Sequence, residues 1–283
     1  MNITADTAID SAPFDSSKPA NPRLQRAAAL QDAGRLDAAI AELQTALDES
    51  NETTNPNEFQ ERAMLAINLA NIYAASGLSQ EAGELLAREK SLANKLYQSI
   101  HETGSAIEKR EVFRAYTQLR DLHTQVTLVG GPAPEISIQH WFGSDSLTLE
   151  ALRGRVVVLE FWATWCKPCQ ATFPKVNKLY NENKARGLQI LGLTRHYLAY
   201  GGTPEARRSE LEFIRDVAEG HNLDFPVGVA EDTETQMHYG ASGVPTVVLI
   251  DRKSIVRLFG RFSANTDDPD FDRALQDCLN EAA

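Results

Sequence analysis

The chain has 283 residues and a mass of 31.2 kDa, which is enough for about two domains that each bury a core. With 42% hydrophobic and 24% charged residues, its composition is that of a globular protein and excludes a disordered or fibrous one. The net charge of −11 is spread along the whole length and leaves no basic patch, which disfavours nucleic-acid binding and attachment to an anionic membrane surface.

The first 20 residues are rich in Ser, Ala, Pro and Asp and show no periodicity, so we expect a flexible tail over residues 1–20. They lack the basic and apolar segments of a signal peptide. No apolar run in the chain approaches the roughly 18 residues of a transmembrane helix. These features predict a cytoplasmic protein if Met1 is the true start, and an exported one if a signal has been removed.

Residues 21–126 are rich in Ala and Leu and predict an all-α domain. Helix starts are indicated by Asn55 followed by Pro56, and by Ser105 with Glu108, which form a capping box. Two stretches 43 residues apart share one pattern: Ala27, Leu30, Gly34, Ala39 and Leu43, then Ala70, Tyr73, Gly77, Ala82 and Leu86.

The repeated pattern resembles the tetratricopeptide (TPR) helical hairpin, because small residues let two helices approach closely and the glycine permits the turn between them. The offset exceeds the usual repeat of about 34 residues, so the first unit would carry an insertion over residues 48–57. A helical bundle with chance spacing explains the pattern equally well. A TPR-like domain would offer a surface for a protein partner.

Strands and helices alternate over residues 127–283, which predicts an α/β domain. The predicted strands cover residues 156–162, 188–193, 247–250 and 255–259, and the predicted helices cover 167–185, 209–219 and a last segment around 271–279. On that last helix, Cys278 falls on the apolar face and is expected to be a small buried residue.

A Cys-x-x-Cys motif, Trp165-Cys166-Lys167-Pro168-Cys169, follows a buried strand directly and opens a helix. Unpaired N–H groups and the helix dipole stabilise a thiolate there. We expect Cys166 to expose its sulfur and Cys169, one turn further on, to be shielded on the same side, so that the pair can close a disulfide ring. Lys167 adds a positive charge beside Cys166, and Pro168 stiffens the first turn.

Two further features are expected near the sulfurs. The Val244–Pro245 bond is a candidate cis peptide, which would leave the backbone of Val244 free to pair with an extended substrate segment. Glu160 lies six residues before Cys166, and a carboxyl buried there would have a raised pKa and could serve Cys169 as general base. An incidental strand-end carboxylate is the other interpretation.

The motif Phe161-Trp162-Ala163-Thr164-Trp165-Cys166-Lys167-Pro168-Cys169, with Val244-Pro245-Thr246 downstream, resembles the thioredoxin superfamily and, within it, the TlpA-like thiol–disulfide oxidoreductases. The resemblance covers about residues 130–283 and implies a central mixed sheet flanked by helices. It also implies that Cys166 attacks, that Cys169 resolves, and that Pro245 is a cis-proline facing them. Glu160 falls where thioredoxins hold a buried acid, usually Asp.

Around the sulfurs, Trp165, Lys167, Pro168, Val244 and Pro245 are the expected substrate contacts. Trp162 could belong to an apolar surface around the sulfurs or to the core of the domain. The loop at residues 195–207, which contains His196 and Tyr197, is longer than its counterpart in a minimal thioredoxin. It could line a substrate groove or be an ordinary polar loop.

The sequence therefore predicts disulfide exchange with protein substrates, in the reducing direction, together with a redox partner protein and without metal or other cofactor. The resemblance favours a location outside the cytoplasm. The alternatives are a thiol peroxidase and a TPR-type adaptor with a vestigial redox domain. A zinc site is disfavoured because the six histidines show no paired spacing and no second Cys-x-x-Cys is present.

Overall fold

The structure is a computed structural model that describes residues 21–50, 55–199 and 201–281. The tail predicted over residues 1–20 and part of the insertion predicted over 48–57 lie outside these ranges. The chain forms two compact units that divide between Thr127 and Leu128, one residue from the division proposed from the sequence. Within the described ranges, no helix is both long enough and apolar enough to cross a bilayer.

The first unit is helical and contains two helix hairpins. Its helices are α1 (Pro22–Asp32), α2 (Leu36–Glu49), α3 (Pro56–Ala75), α4 (Ser79–Ile100) and α5 (Ala106–Leu128). Helix α1 packs on α2, and α3 packs on α4. Gly34 and Gly77 form the two turns with φ of +70° and +79°, a conformation that favours glycine. Ala39 and Ala82 are fully buried where the helices approach, so the sequence repeat corresponds to a structural one.

A buried ion pair joins three of these helices. The Arg62 side chain donates to both carboxylate oxygens of Glu89, at 2.7 and 2.8 Å, and to the carbonyl of Leu47 at 3.1 Å. Because a buried charge without its partner is strongly unfavourable, this pair fixes how α2, α3 and α4 align. The capping box predicted for α5 is confirmed, since Ser105 and Glu108 each accept from the other's backbone N–H.

The second unit is an α/β domain. Its elements are β1 (His140–Phe142), β2 (Val156–Phe161), α6 (Lys167–Asn183), a 3₁₀ turn (Lys184–Arg186), β3 (Leu188–Arg195), α7 (Pro204–Gly220), β4 (Val227–Ala230), α8 (Glu234–His238), β5 (Thr246–Ile250), β6 (Val256–Gly260) and α9 (Pro269–Asn280). In the described part of the chain, the strands form one sheet in the order β1-β4-β3-β2-β5-β6. Strands β2, β3 and β4 are parallel, and the other pairings are antiparallel. The predicted thioredoxin-like fold, a mixed sheet flanked by helices, is confirmed.

Several elements differ from the sequence prediction, among them the short helix α8, which was not predicted. Helix α7 begins five residues earlier than expected, because the Thr203 hydroxyl accepts from the N–H of Ala206 and Pro204 occupies the first turn. Strands β1 and β4 were not predicted. They have three and four residues, too few for an alternation to be recognised, and they pair with each other across the chain, His140 opposite Val229.

The side chains of β2 alternate between the two faces of the sheet. Val156 and Val158 pack with residues of α6 and α9, whereas Val157 and Leu159 face the opposite layer. By the same alternation, Glu160 points toward the α6 face.

The topology brings four segments to one edge of the sheet. Parallel strands β2, β3 and β4 all end there, and antiparallel β5 begins there, with Thr246 opposite Phe161. The segments that follow β2, β3 and β4 therefore meet the one that precedes β5, although 80 residues separate Cys166 from Thr246.

Candidate active site

A disulfide joins Cys166 and Cys169 at the start of α6, with their Cα atoms 5.3 Å apart. Cys166 is the N-cap of the helix, and its sulfur accepts from the N–H of Cys169 at 3.2 Å. Lys167 and Pro168 are the first two helical residues. The helix dipole and this N–H group would stabilise a thiolate on Cys166 once the disulfide is reduced.

Cys166 is more buried than the sequence suggested. Cys169 is fully buried as expected, but Cys166 is only 3% exposed, which corrects the expectation of an exposed sulfur. Both cysteines belong to an apolar cluster that contains Trp162 and Phe173, whose rings pack edge to face with centroids 5.3 Å apart. Trp162 is therefore core, whereas Trp165 is 38% exposed and borders the site. A partner must approach closely to reach Cys166.

Glu160 is fully buried on the α6 face of β2. Neither of its carboxylate oxygens has a hydrogen-bond partner within the described ranges. Burial raises the pKa of Glu160 from 4.5 to about 8, although the neighbouring Thr172 hydroxyl acts in the opposite direction. That hydroxyl donates to the carbonyl of Cys169 at 2.7 Å, which places the carboxyl behind the first turns of α6. The acid is therefore mostly protonated at neutral pH.

The Val244–Pro245 peptide bond is cis and lies at the same sheet edge. Val244 packs into the cluster that contains Cys166 and Cys169. The Thr246 hydroxyl donates to the carbonyl of Gly243 at 2.6 Å and holds the loop. The N–H and carbonyl of Val244 find no hydrogen-bond partner in the part of the chain that is described.

Tyr197, which follows β3, supports the exposed Trp165. The two rings pack edge to face with centroids 5.5 Å apart. The guanidinium of Arg195 lies 3.9 Å from the centroid of the Tyr197 ring, and the Gln236 amide donates to the Tyr197 hydroxyl at 2.6 Å. This contact gives the 195–207 loop a place in the site that its polarity alone did not indicate.

Glu210 anchors the same loop from helix α7. Its carboxylate accepts from the backbone N–H groups of Tyr197, Leu198 and Ala199 at 2.8–2.9 Å and contacts Nδ1 of His196 at 3.1 Å. His196 is only 1% exposed, so it does not line a groove at the sulfurs. It borders a separate cavity of about 480 Å³ together with Arg207, Arg208 and Glu231, among others. Sequence analysis missed Glu210, which sits on a predicted helix with no local signal of its role.

Cys278 is 1% exposed and packs with Phe271 and Leu275 of α9, as predicted for a small buried residue. Burial raises the pKa of its thiol, which makes it a poor nucleophile at neutral pH. It belongs to a different cluster from the disulfide.

The second unit is similar in sequence to known proteins. Residues 129–259 match the AhpC/TSA family model. The thiol-disulfide oxidoreductase ResA of Bacillus cereus is 30% identical over 134 residues, which cover 47% of this chain and 70% of the relative. ResA of Geobacillus thermodenitrificans is 31% identical over 144 residues, 50% of this chain and 75% of the relative. The chain belongs to the ResA-like thiol–disulfide oxidoreductases. A solved thiol-disulfide isomerase from Corynebacterium glutamicum is 27% identical, covers 53% of this chain and 97% of its own, and superposes with a TM-score of 0.45.

This ResA-like oxidoreductase therefore combines two units, of which one carries the redox centre. The family match begins at residue 129, so the helical unit lies outside it. As a thiol–disulfide oxidoreductase, the chain transfers electrons between thiols and disulfides.

Proposed function

We propose that this protein reduces disulfides in protein or peptide clients through Cys166 and Cys169. The observation that carries the proposal is the disulfide at the N-terminus of α6, next to a Val244 backbone that is unpaired in the described part of the chain. The exposed indole of Trp165 adds an apolar contact beside the nucleophile.

The reaction uses both cysteines in turn. In the reduced protein, the Cys166 thiolate attacks one sulfur of the client disulfide, a mixed disulfide forms, and the other client sulfur leaves as a thiolate. The Cys169 thiolate then attacks the sulfur of Cys166 and releases the second client thiol. Two electrons have passed to the client, and the protein holds the Cys166–Cys169 disulfide. A dithiol donor protein returns it to the reduced state.

Glu160 is the proton acceptor for Cys169 in this proposal. The Cys169 side chain is fully buried, so its thiol is not in contact with bulk solvent. A carboxyl whose pKa is raised to about 8 is well matched to a thiol and exists in both protonation states near neutral pH. The absence of a hydrogen-bond partner for its oxygens in the described ranges leaves them available for this transfer.

The client would lie in an extended conformation across the opening above the sulfurs. The N–H and carbonyl of Val244 would pair with its backbone, beside Pro245. Trp165, Lys167 and Pro168 would contact it from the other side of the disulfide.

Insulin reduction with dithiothreitol as donor tests the proposal. Wild-type protein should accelerate the reaction, Cys166→Ser should give only the background rate, and Cys169→Ser should accumulate a mixed disulfide with insulin chains. Equal rates for wild type and Cys166→Ser would end the proposal.

Two further parts of the proposal concern partners and location. The two hairpins of the helical unit support a role in binding a protein partner, which makes it a second docking surface for a client or donor. The TlpA-like motif supports a location outside the cytoplasm, and fractionation of the native host would test it.

A further inference from the structure

Arg261 lies at the same sheet edge as the disulfide. It follows β6, whose last residue, Gly260, pairs with Val247 of β5. The guanidinium Nη2 is 3.9 Å from the position that a Cβ would occupy at Gly243. Gly243 directly precedes Val244, so a cationic group stands beside the backbone on which the client is proposed to lie.

Within the described residues, this cation has no hydrogen bond or ion pair. The two acidic residues that follow it in the chain are engaged elsewhere. Asp267 pairs with Lys175 at 3.0 Å, and Asp268 caps α9 by accepting from the N–H of Phe271 at 3.0 Å. Arg261 is exposed, so its guanidinium is available to a group that arrives from outside.

A second cation, Lys167, directly follows Cys166 at the start of α6. Lys167 is exposed, and its ammonium contacts the amide oxygen of Gln170 at 3.3 Å, a neutral partner. Two exposed cations therefore lie at the sheet edge that carries the disulfide, although the chain as a whole carries a net charge of −11. A carboxylate on a client would meet attraction here, and a Lys or Arg on a client would meet repulsion.

We infer that Arg261 selects client segments that carry an Asp or Glu within one or two residues of the target cysteine. The inference rests on the proposed function. Consecutive residues of an extended segment are about 3.3 Å apart, so a client paired with Val244 brings its neighbouring side chains within reach of the guanidinium. The carboxylate is the acidic group that polypeptides offer, and guanidinium binds it in a planar, two-point geometry.

Synthetic peptides test the inference. Three peptides carry the same intramolecular disulfide and differ only in the residue beside one cysteine, which is Asp, Asn or Lys. The reduced full-length protein is compared with Arg261→Ala, Arg261→Glu and the control Lys253→Glu. Lys253 is an exposed cation in the β5–β6 turn, at the opposite end of the sheet, roughly 15–20 Å from the disulfide edge. The readout is the Asp-to-Asn and Lys-to-Asn ratio of kcat/KM within each variant, which cancels any change in redox potential.

Wild type should prefer the Asp peptide over the Asn peptide by about two- to fivefold, the size of an exposed ion pair, and should disfavour the Lys peptide. Arg261→Ala should bring the ratios near one, Arg261→Glu should invert them, and Lys253→Glu should leave them unchanged. About 1 M salt should weaken the wild-type preference. Equal ratios in wild type and Arg261→Glu would overturn the inference while leaving the proposed function intact. Failure to reduce even the Asn peptide would overturn both.

Discussion

Glu160→Gln should make the redox unit more stable at alkaline pH and change how its stability depends on pH. In the folded protein the pKa of Glu160 is raised by burial to about 8, from 4.5. Between these values the folded state holds a proton that the unfolded state releases. The free energy of unfolding therefore falls as pH rises through this window, and the loss is complete above the folded pKa.

The size of the effect follows from the pKa difference. Each unit corresponds to about 1.4 kcal/mol, so complete ionisation of Glu160 costs about 5 kcal/mol at most. This is a large part of the 5–15 kcal/mol, roughly, that stabilises a typical domain. Glutamine has nearly the same shape and cannot ionise, so the variant keeps the stability that wild type loses between about pH 4.5 and pH 8.

The assay is urea unfolding of the oxidised protein between pH 4 and 9, followed by tryptophan fluorescence. The three tryptophans, Trp141, Trp162 and Trp165, all lie in the redox unit, so the signal reports on that unit alone. The difference in stability between wild type and Glu160→Gln cancels the titration of other groups. It should decline by several kcal/mol across the range, whereas Glu219→Gln, an exposed site on α7, should give a flat difference. If the free energies of unfolding of wild type and Glu160→Gln change with pH in parallel, the raised pKa of Glu160 is refuted.

Two further predictions concern the site. Glu160→Gln should slow the resolution of a Cys166 mixed disulfide by about 10²-fold near neutral pH, because Cys169 loses its proton acceptor. Stopped-flow kinetics would measure this rate. An unchanged rate would leave Glu160 with a structural role. Glu210→Gln should lower the free energy of unfolding by about 2–4 kcal/mol. The reason is that an amide group would face backbone N–H donors that the buried carboxylate now satisfies. Faster hydrogen exchange at residues 197–199 would show the effect, with Glu219→Gln as control, and retained protection there would contradict the anchoring role.

Local features of the sequence were enough to predict the chemistry. A buried strand followed at once by Cys-x-x-Cys specifies a strand end, a helix start and two sulfurs one turn apart. Capping residues act within four positions, which is why the Ser105–Glu108 box and the Gly34 and Gly77 turns were recognisable. The order of strands and helices was sufficient for the fold class, because parallel strands need helical crossovers.

The surroundings of the sulfurs depend on contacts between distant parts of the chain. Glu210 holds a loop 11–13 residues before it, and Arg261 reaches Gly243 only because β6 pairs with β5. The short strand β4 pairs with both β3 and β1, and β1 pairs with β4, so both strands depend on partners that are distant in the sequence. Cys166 is buried in a cluster whose members come from β4, α6, α7 and the segment that follows β2, which no local pattern specifies. Charge, burial and pKa depend on everything that surrounds a group in space, and a linear pattern reports only its neighbours along the chain.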